Sequence, residues 1–183
     1  MIYYIIGAIV VLIILWVIGT YNRFVKLKNS IEEAFSTMDV YLKKRYDLIP
    51  NLVETVKGYA KHEKETLESV MQARNMAMNA TSVEDKIAGE NMLTGTLKSL
   101  FAVAEAYPDL KANANFMALQ GELGQMEDEI ANSRKYYNAV VKTYNTKREM
   151  FPSVIIAGLF GFAKKPLFEV SDAQERENVK VAF

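Results

Sequence analysis

The first 22 residues, MIYYIIGAIVVLIILWVIGTYN, contain no charged side chain. A helix of about 20 apolar residues covers roughly 30 Å of hydrocarbon. A secretory h-region is shorter, about 7 to 15 residues, with a basic segment before it and a small-residue cleavage site after it. Here the front lacks basic side chains and no A-x-A pattern follows Gly19. Residues 1–22 therefore read as an uncleaved transmembrane anchor rather than a cleaved signal peptide. Tyr3, Tyr4, Trp16 and Tyr21 are its candidate interface aromatics.

The flanks set an expected orientation. Arg23, Lys26 and Lys28 follow the apolar run directly, with Lys43, Lys44 and Arg45 further on. Positive charge stays inside, so the N-terminus is expected outside and the body in the cytoplasm. The rest of the composition mainly excludes. Lys plus Arg is 22 and Asp plus Glu is 22, so no whole-chain field favours nucleic acid as a partner. With no cysteine and one histidine, disulfides, thiol chemistry and His-rich metal sites are not expected.

Beyond the anchor the apolar residues keep a helical period. Phe24, Leu27, Ile31, Phe35, Met38, Leu42, Arg45 and Ile49 share one face, and Leu52, Val56, Tyr59, Glu63, Leu67, Val70, Arg74 and Ala77 repeat the spacing. The run NATSVED closes that second helix, and Ser82 with Asp85 can cap a third. Its stripe is Ile87, Leu93, Leu97, Leu100, Phe101 and Ala104, ending at Tyr107-Pro108. A fourth helix runs from near Asn113 to about Met150, carried by Phe116, Leu119, Leu123, Met126, Ile130, Arg134, Tyr137, Val141 and Tyr144, with Pro152 beyond it. No segment alternates with period two. The expected fold is all-α: a transmembrane helix continuing into an elongated antiparallel four-helix bundle over residues 23–150. A short apolar segment at 151–170 and a polar tail at 171–183 follow.

Pro50 sits where the first two stripes meet. A proline removes a backbone donor and clashes with the carbonyl four residues back, but it is tolerated in a helix's first turn. The favoured reading is a helix corner at Pro50, with helix one ending at Asp47 or Leu48. The alternative is a kink within one helix from about residue 22 to 79.

Polar residues interrupt the stripes. Arg45, Glu63, Arg74 and Arg134 fall in core register, and Asp47, Glu127 and Asn138 lie near the same faces. Buried charges must pair, so these seven are the expected polar core network, setting which helices associate. His62-Glu63 supplies half of an HExxH motif, but position 66 is threonine. No GxSxG, P-loop or GxGxxG is present, so no catalytic, cofactor-binding or metal-ligating residue is expected.

The run Val154 to Ala163 is too short to span a bilayer. Ile155, Ile156, Leu159, Phe160, Phe162, Lys164 and Lys165 are expected to contact lipid or another subunit, in preference to capping the bundle's end.

RYDLIPNLVETVKGYAKHE at 45–63, Arg74, YPDLKAN at 107–113 and ExxIANSRKYYNAVVKTYN at 127–145 resemble the LemA family of bacterial membrane proteins. The resemblance implies an N-terminal membrane helix, a long helical bundle and no established enzymatic activity. It also implies kinship with proteins needed for magnetosome membrane formation, and a membrane zinc protease as a candidate partner. The expected function is a single-pass, non-enzymatic scaffold that forms homo-oligomers and recruits partners. The alternative is a sensor or adaptor whose bundle binds a ligand or regulates a membrane protease.

Overall fold

The computed structural model describes residues 1–169, and among them every regular element is helical. The polar tail expected at 171–183, together with Val170, lies outside the described residues. Six helices follow in order: α1 Ile2–Tyr59, α2 Lys64–Met78, α3 Val83–Glu105, α4 Pro108–Lys111, α5 Ala114–Glu149 and α6 Ser153–Leu159.

Pro50 does not turn the chain. It lies inside α1, which continues nine residues further to Tyr59, so the expected corner is corrected to a proline within a continuous helix. The turn comes at Ala60–Glu63, after Gly58, where Lys61, His62 and Glu63 follow buried Ala60 with no apolar side chain to hold a further helical turn against the core. Helix two consequently starts at Lys64 rather than near Pro50, and its expected leading residues Leu52 and Val56 belong to α1.

The other boundaries follow local chemistry. Ser82 is extended and its Oγ accepts a hydrogen bond from the Asp85 amide at 3.0 Å, satisfying one of the amides that a helix start leaves bare. Asn113 Oδ1 accepts from the Phe116 amide at 3.0 Å and opens α5 in the same way. Lys147 and Arg148 place positive charge on the carbonyl end of α5, where the helix dipole favours it.

The chain divides into two compact units. Unit 1 comprises residues 1–38 and 133–167, and unit 2 comprises 39–132 with 168 onward. In unit 1, Phe24, Ile31, Ala34 and Met38 of α1 are buried, as are Tyr137, Val141 and Tyr144 of α5 and Ile156 and Ala157 of α6. Residues 2–16 of α1 are exposed throughout, giving one helix long and apolar enough to cross a membrane.

After α6 the backbone reverses at Gly161, whose φ of +70° is a conformation that side-chain-bearing residues rarely adopt. The following strap is tied to α5. Arg148 Nε donates to the Phe162 carbonyl (2.9 Å), Tyr144 Oη to Ala163 (2.9 Å) and Tyr137 Oη to Pro166 (3.1 Å). Asn145 donates to the Lys165 carbonyl and accepts from its amide, at 2.8 and 3.0 Å. As strap numbers rise the α5 numbers fall, so the strap runs antiparallel to α5. Tyr137, Tyr144, Asn145 and Arg148 thus satisfy backbone groups of a segment that, among the described residues, belongs to no helix or strand.

In unit 2 the buried apolar residues come from Leu42 to Ala60 of α1 and its end, Leu67 to Ala77 of α2, Leu93 to Ala104 of α3, Leu110 of α4, and Phe116, Leu123 and Ile130 of α5. The α2 and α3 helices pack on one another at close range. Gly89 permits this: a Cβ there would lie 2.7 Å from the Cα of Ala77.

Candidate functional site

A buried ionic layer in unit 2 grows from two consecutive residues of α1. Arg45 falls in register with Met38, Leu42, Ile49 and Leu52, so the helical period turns it inward, and only 2% of it is exposed. Its guanidinium forks between two carboxylates. Nη2 donates to Glu90 Oε2 on α3, and Nη1 donates to Glu127 Oε1 on α5 at 2.6 Å. Tyr46, also buried, donates its hydroxyl to the other oxygen of Glu90. Glu90 is buried with them, whereas 43% of the Glu127 side chain remains exposed.

A second pair adjoins this one. Lys86, one turn before Glu90 on α3, donates to Asp39 Oδ1 at 2.5 Å, and Lys43 approaches Asp39 Oδ2 at 3.2 Å. Burial acts to raise the Asp39 pKa, but hydrogen bonds and charge from Lys86 and Lys43 outweigh it and hold the carboxyl below its ordinary 3.8. Burial pushes the Tyr46 phenol up to about 12, against the nearby charge of Arg45 and with that of Asp39. Three cations, Lys43, Arg45 and Lys86, thus face three carboxylates, Asp39, Glu90 and Glu127.

Arg74 acts on Pro50. The missing N–H of a proline leaves the carbonyl of residue i−4 without its helical donor, and that carbonyl belongs to Tyr46. Arg74 Nε of α2 donates to the Tyr46 carbonyl at 2.7 Å, replacing the absent bond. The opening motif RYDLIP therefore combines an inward cation, a buried phenol and a helical proline whose orphan carbonyl is satisfied from the neighbouring helix.

The seven residues expected to form one polar network separate. Arg45 and Glu127 meet directly. Arg74 reaches the same turn of α1 through backbone. Asp47 is exposed and stands outside the layer, because two positions beyond Arg45 a helix turns about 200° away. Glu63 lies in the turn before α2, where it accepts from Tyr107 Oη at 3.3 Å; burial first, and then Glu63, raises the Tyr107 pKa. Arg134 and Asn138 belong to unit 1 and each makes interactions there or elsewhere in the chain. Glu90 and Lys86, which sequence reasoning passed over, complete the layer. Their signal was present: counting back from Leu100, Leu97 and Leu93 by threes and fours gives Glu90, Gly89 and Lys86, all buried.

The expected C-terminal contact residues also divide. Ile156 is 2% exposed and faces the core of unit 1, and Phe162 stacks on Phe24 at 4.7 Å, so these two are corrected from outward contacts to intrachain packing. Lys165 is half-buried in the strap. Ile155, Leu159, Phe160 and Lys164 remain exposed, with Lys164 3.2 Å from Glu149. Arg23, Lys26 and Lys28 are exposed just past the apolar run.

A profile of the LemA family matches residues 34–183. Protein LemA of Metamycoplasma hominis is 26% identical over 161 residues, covering 86% of this chain and 72% of that protein. Magnetosome protein MamQ 2 of Paramagnetospirillum magneticum is 26% identical over 179 residues, and magnetosome protein MamQ of Magnetospirillum gryphiswaldense 25% over 179. Each of these alignments covers 84% of this chain and 66% of the magnetosome protein.

Proposed function

The chain belongs to the LemA family, and we propose that it is a membrane-anchored, non-enzymatic scaffold that self-assembles and recruits partners at the cytoplasmic membrane face. The observation that carries this reading is the use made of the buried ionic layer in unit 2. Arg45 and Tyr46 bond to Glu90, Arg45 also to Glu127, and Lys86 to Asp39, and Arg45 and Glu90 are shut from solvent. Such a layer fixes helix register, and its central pair, Arg45 and Glu90, is closed to a substrate. The exposed apolar face at residues 2–16 supplies an anchor, and Arg23, Lys26 and Lys28 favour a cytoplasmic body. Relatives that carry the name magnetosome protein suit a part in an assembled structure.

A second reading, the adaptor that binds a ligand or regulates a membrane protease, draws on an open groove of about 1010 Å³ in unit 2. Val53, Gly58, Leu67 and Met71 give it apolar walls, and Lys57 and Lys64 line its rim. Extraction from native membranes in mild detergent, followed by mass measurement of the complex, separates the two. A scaffold gives a ring or cluster of several copies, whereas a single copy, alone or with one partner, contradicts self-assembly and supports the adaptor.

A further inference from the structure

We propose that α6 and the residues beside it form a second membrane contact, lying in the lipid headgroup layer next to the point where α1 leaves the bilayer. This rests on the reading of α1 as the anchor.

The first argument is position. Tyr21 packs edge-on against Phe160 with ring centroids 4.9 Å apart and lies 5.7 Å from Phe162, which stacks on Phe24. Tyr21 is three residues past Ile18, about 4.5 Å along the helix axis. The C-terminal end of α6 is therefore held within one helical turn of the end of the apolar span.

The second is composition. From Met150 to Ala163 no residue carries a charge. The inward face of α6, Ser153, Ile156 and Ala157, is buried, while Ile155 is 56%, Leu159 73% and Phe151 80% exposed. A short helix with one face packed on its own protein and the other apolar face bare matches an interfacial segment, which sinks about 5 to 10 Å into the headgroup and acyl boundary. The Tyr21–Phe160 contact sets α6 beside the end of the exposed apolar span.

The third is charge. Arg23 stands about 200° round α1 from Tyr21, where it lines an open hollow with Gly19, Asn22, Lys26, Leu27 and Ser30. Apolar α6 and this cationic face thus occupy opposite sides of α1 at the same depth, with Lys164 following α6. Cations just beyond an apolar contact are attracted to anionic lipid. The contact of α6 with Tyr21, at the end of a span whose exposed apolar surface needs lipid, favours lipid as the occupant.

The test uses the full chain, which contains no cysteine, so a single introduced thiol can be labelled uniquely. Ile155→Cys, Leu159→Cys, Val10→Cys in the span and Met117→Cys on exposed α5 are each given a nitroxide. The proteins are reconstituted in phosphatidylcholine vesicles containing phosphatidylglycerol. Collision rates with oxygen, which concentrates in lipid, are compared with those for a water-soluble nickel chelate. The proposal expects labels at 155 and 159 to meet nickel roughly threefold or more less often than at 117, as an interfacial depth requires. Nickel access at 159 equal to that at 117, with the Val10 label in lipid, overturns it. So does exclusion of both reagents with label–label broadening that fades on dilution into excess lipid, which marks a second copy instead. A Val10 label open to nickel defeats the anchor reading itself, and this inference falls with it.

Discussion

Replacing Arg45 by methionine removes the centre of the ionic layer while keeping much of its volume. The two arms of the guanidinium are unequal. The Glu90 side chain is 5% exposed and Arg45 2%, so the variant leaves a buried carboxylate with the Tyr46 hydroxyl as its remaining partner. Orphaning one member of a buried pair costs about 3 to 5 kcal/mol. The Glu127 arm, with that carboxylate half in water, adds less than about 1 kcal/mol. Arg45 Nε is buried without an acceptor among the described residues, and its removal offsets part of the loss. The expected net cost is about 3 kcal/mol, which for a chain of this length lowers Tm by about 6 to 12 °C. Full-length protein in detergent micelles, followed by tyrosine fluorescence and far-ultraviolet circular dichroism, reports it. Glu90→Gln and the double variant complete a cycle. Because the double variant carries no buried unpaired charge, its cost should fall short of the sum of the singles by about 2 kcal/mol. Simple additivity, or an Arg45→Met melt indistinguishable from wild type, would refute the ion-paired layer.

Three further outcomes follow from particular contacts. Arg74→Leu should cost about 1 to 3 kcal/mol by orphaning the Tyr46 carbonyl, and clearly less in a Pro50→Ala background, where residue 50 supplies its own N–H; equal costs in both would show that Arg74 does not serve the proline. Gly89→Ala should destabilise by about 1 to 3 kcal/mol despite alanine's helix preference of about 1, since its Cβ would meet the Ala77 backbone, and a raised melting temperature would contradict that packing. Burial raises the Tyr46 pKa from 10.0 to about 12, so the folded state holds that proton more tightly. Its contribution is complete below pH 10 and is lost as pH climbs through 12, so stability should fall across that window in wild type and less in Tyr46→Phe.

Period and capping carried most of the fold into view. The uncharged run, the stripes of α3 and α5, and the Ser82 cap are local patterns, and local patterns can be read from a single chain. Pro50 was misread for the opposite reason. Whether a proline ends a helix depends on who satisfies the carbonyl it orphans, and that donor, Arg74, is 24 residues away on another helix. The candidate layer was half legible. Arg45 stood out as a cation in an apolar stripe, but its principal partner was hidden by assigning the α3 face to Ile87 rather than to Lys86, Gly89 and Glu90. At the C-terminal end, hydrophobicity marked residues 151–163 as unusual, but the face that turns inward was decided by Phe24 and Tyr21. Those rings lie more than a hundred positions earlier in the chain.

The central claim is a helical body held on the cytoplasmic face by α1. Protease protection tests it most directly, with antibodies to both ends of the chain. Added to intact, outer-membrane-permeabilised cells, the protease should leave residues 23–183 whole, and added to inverted membrane vesicles it should remove them. Degradation of the body from the outside, with protection in inverted vesicles, would contradict the account.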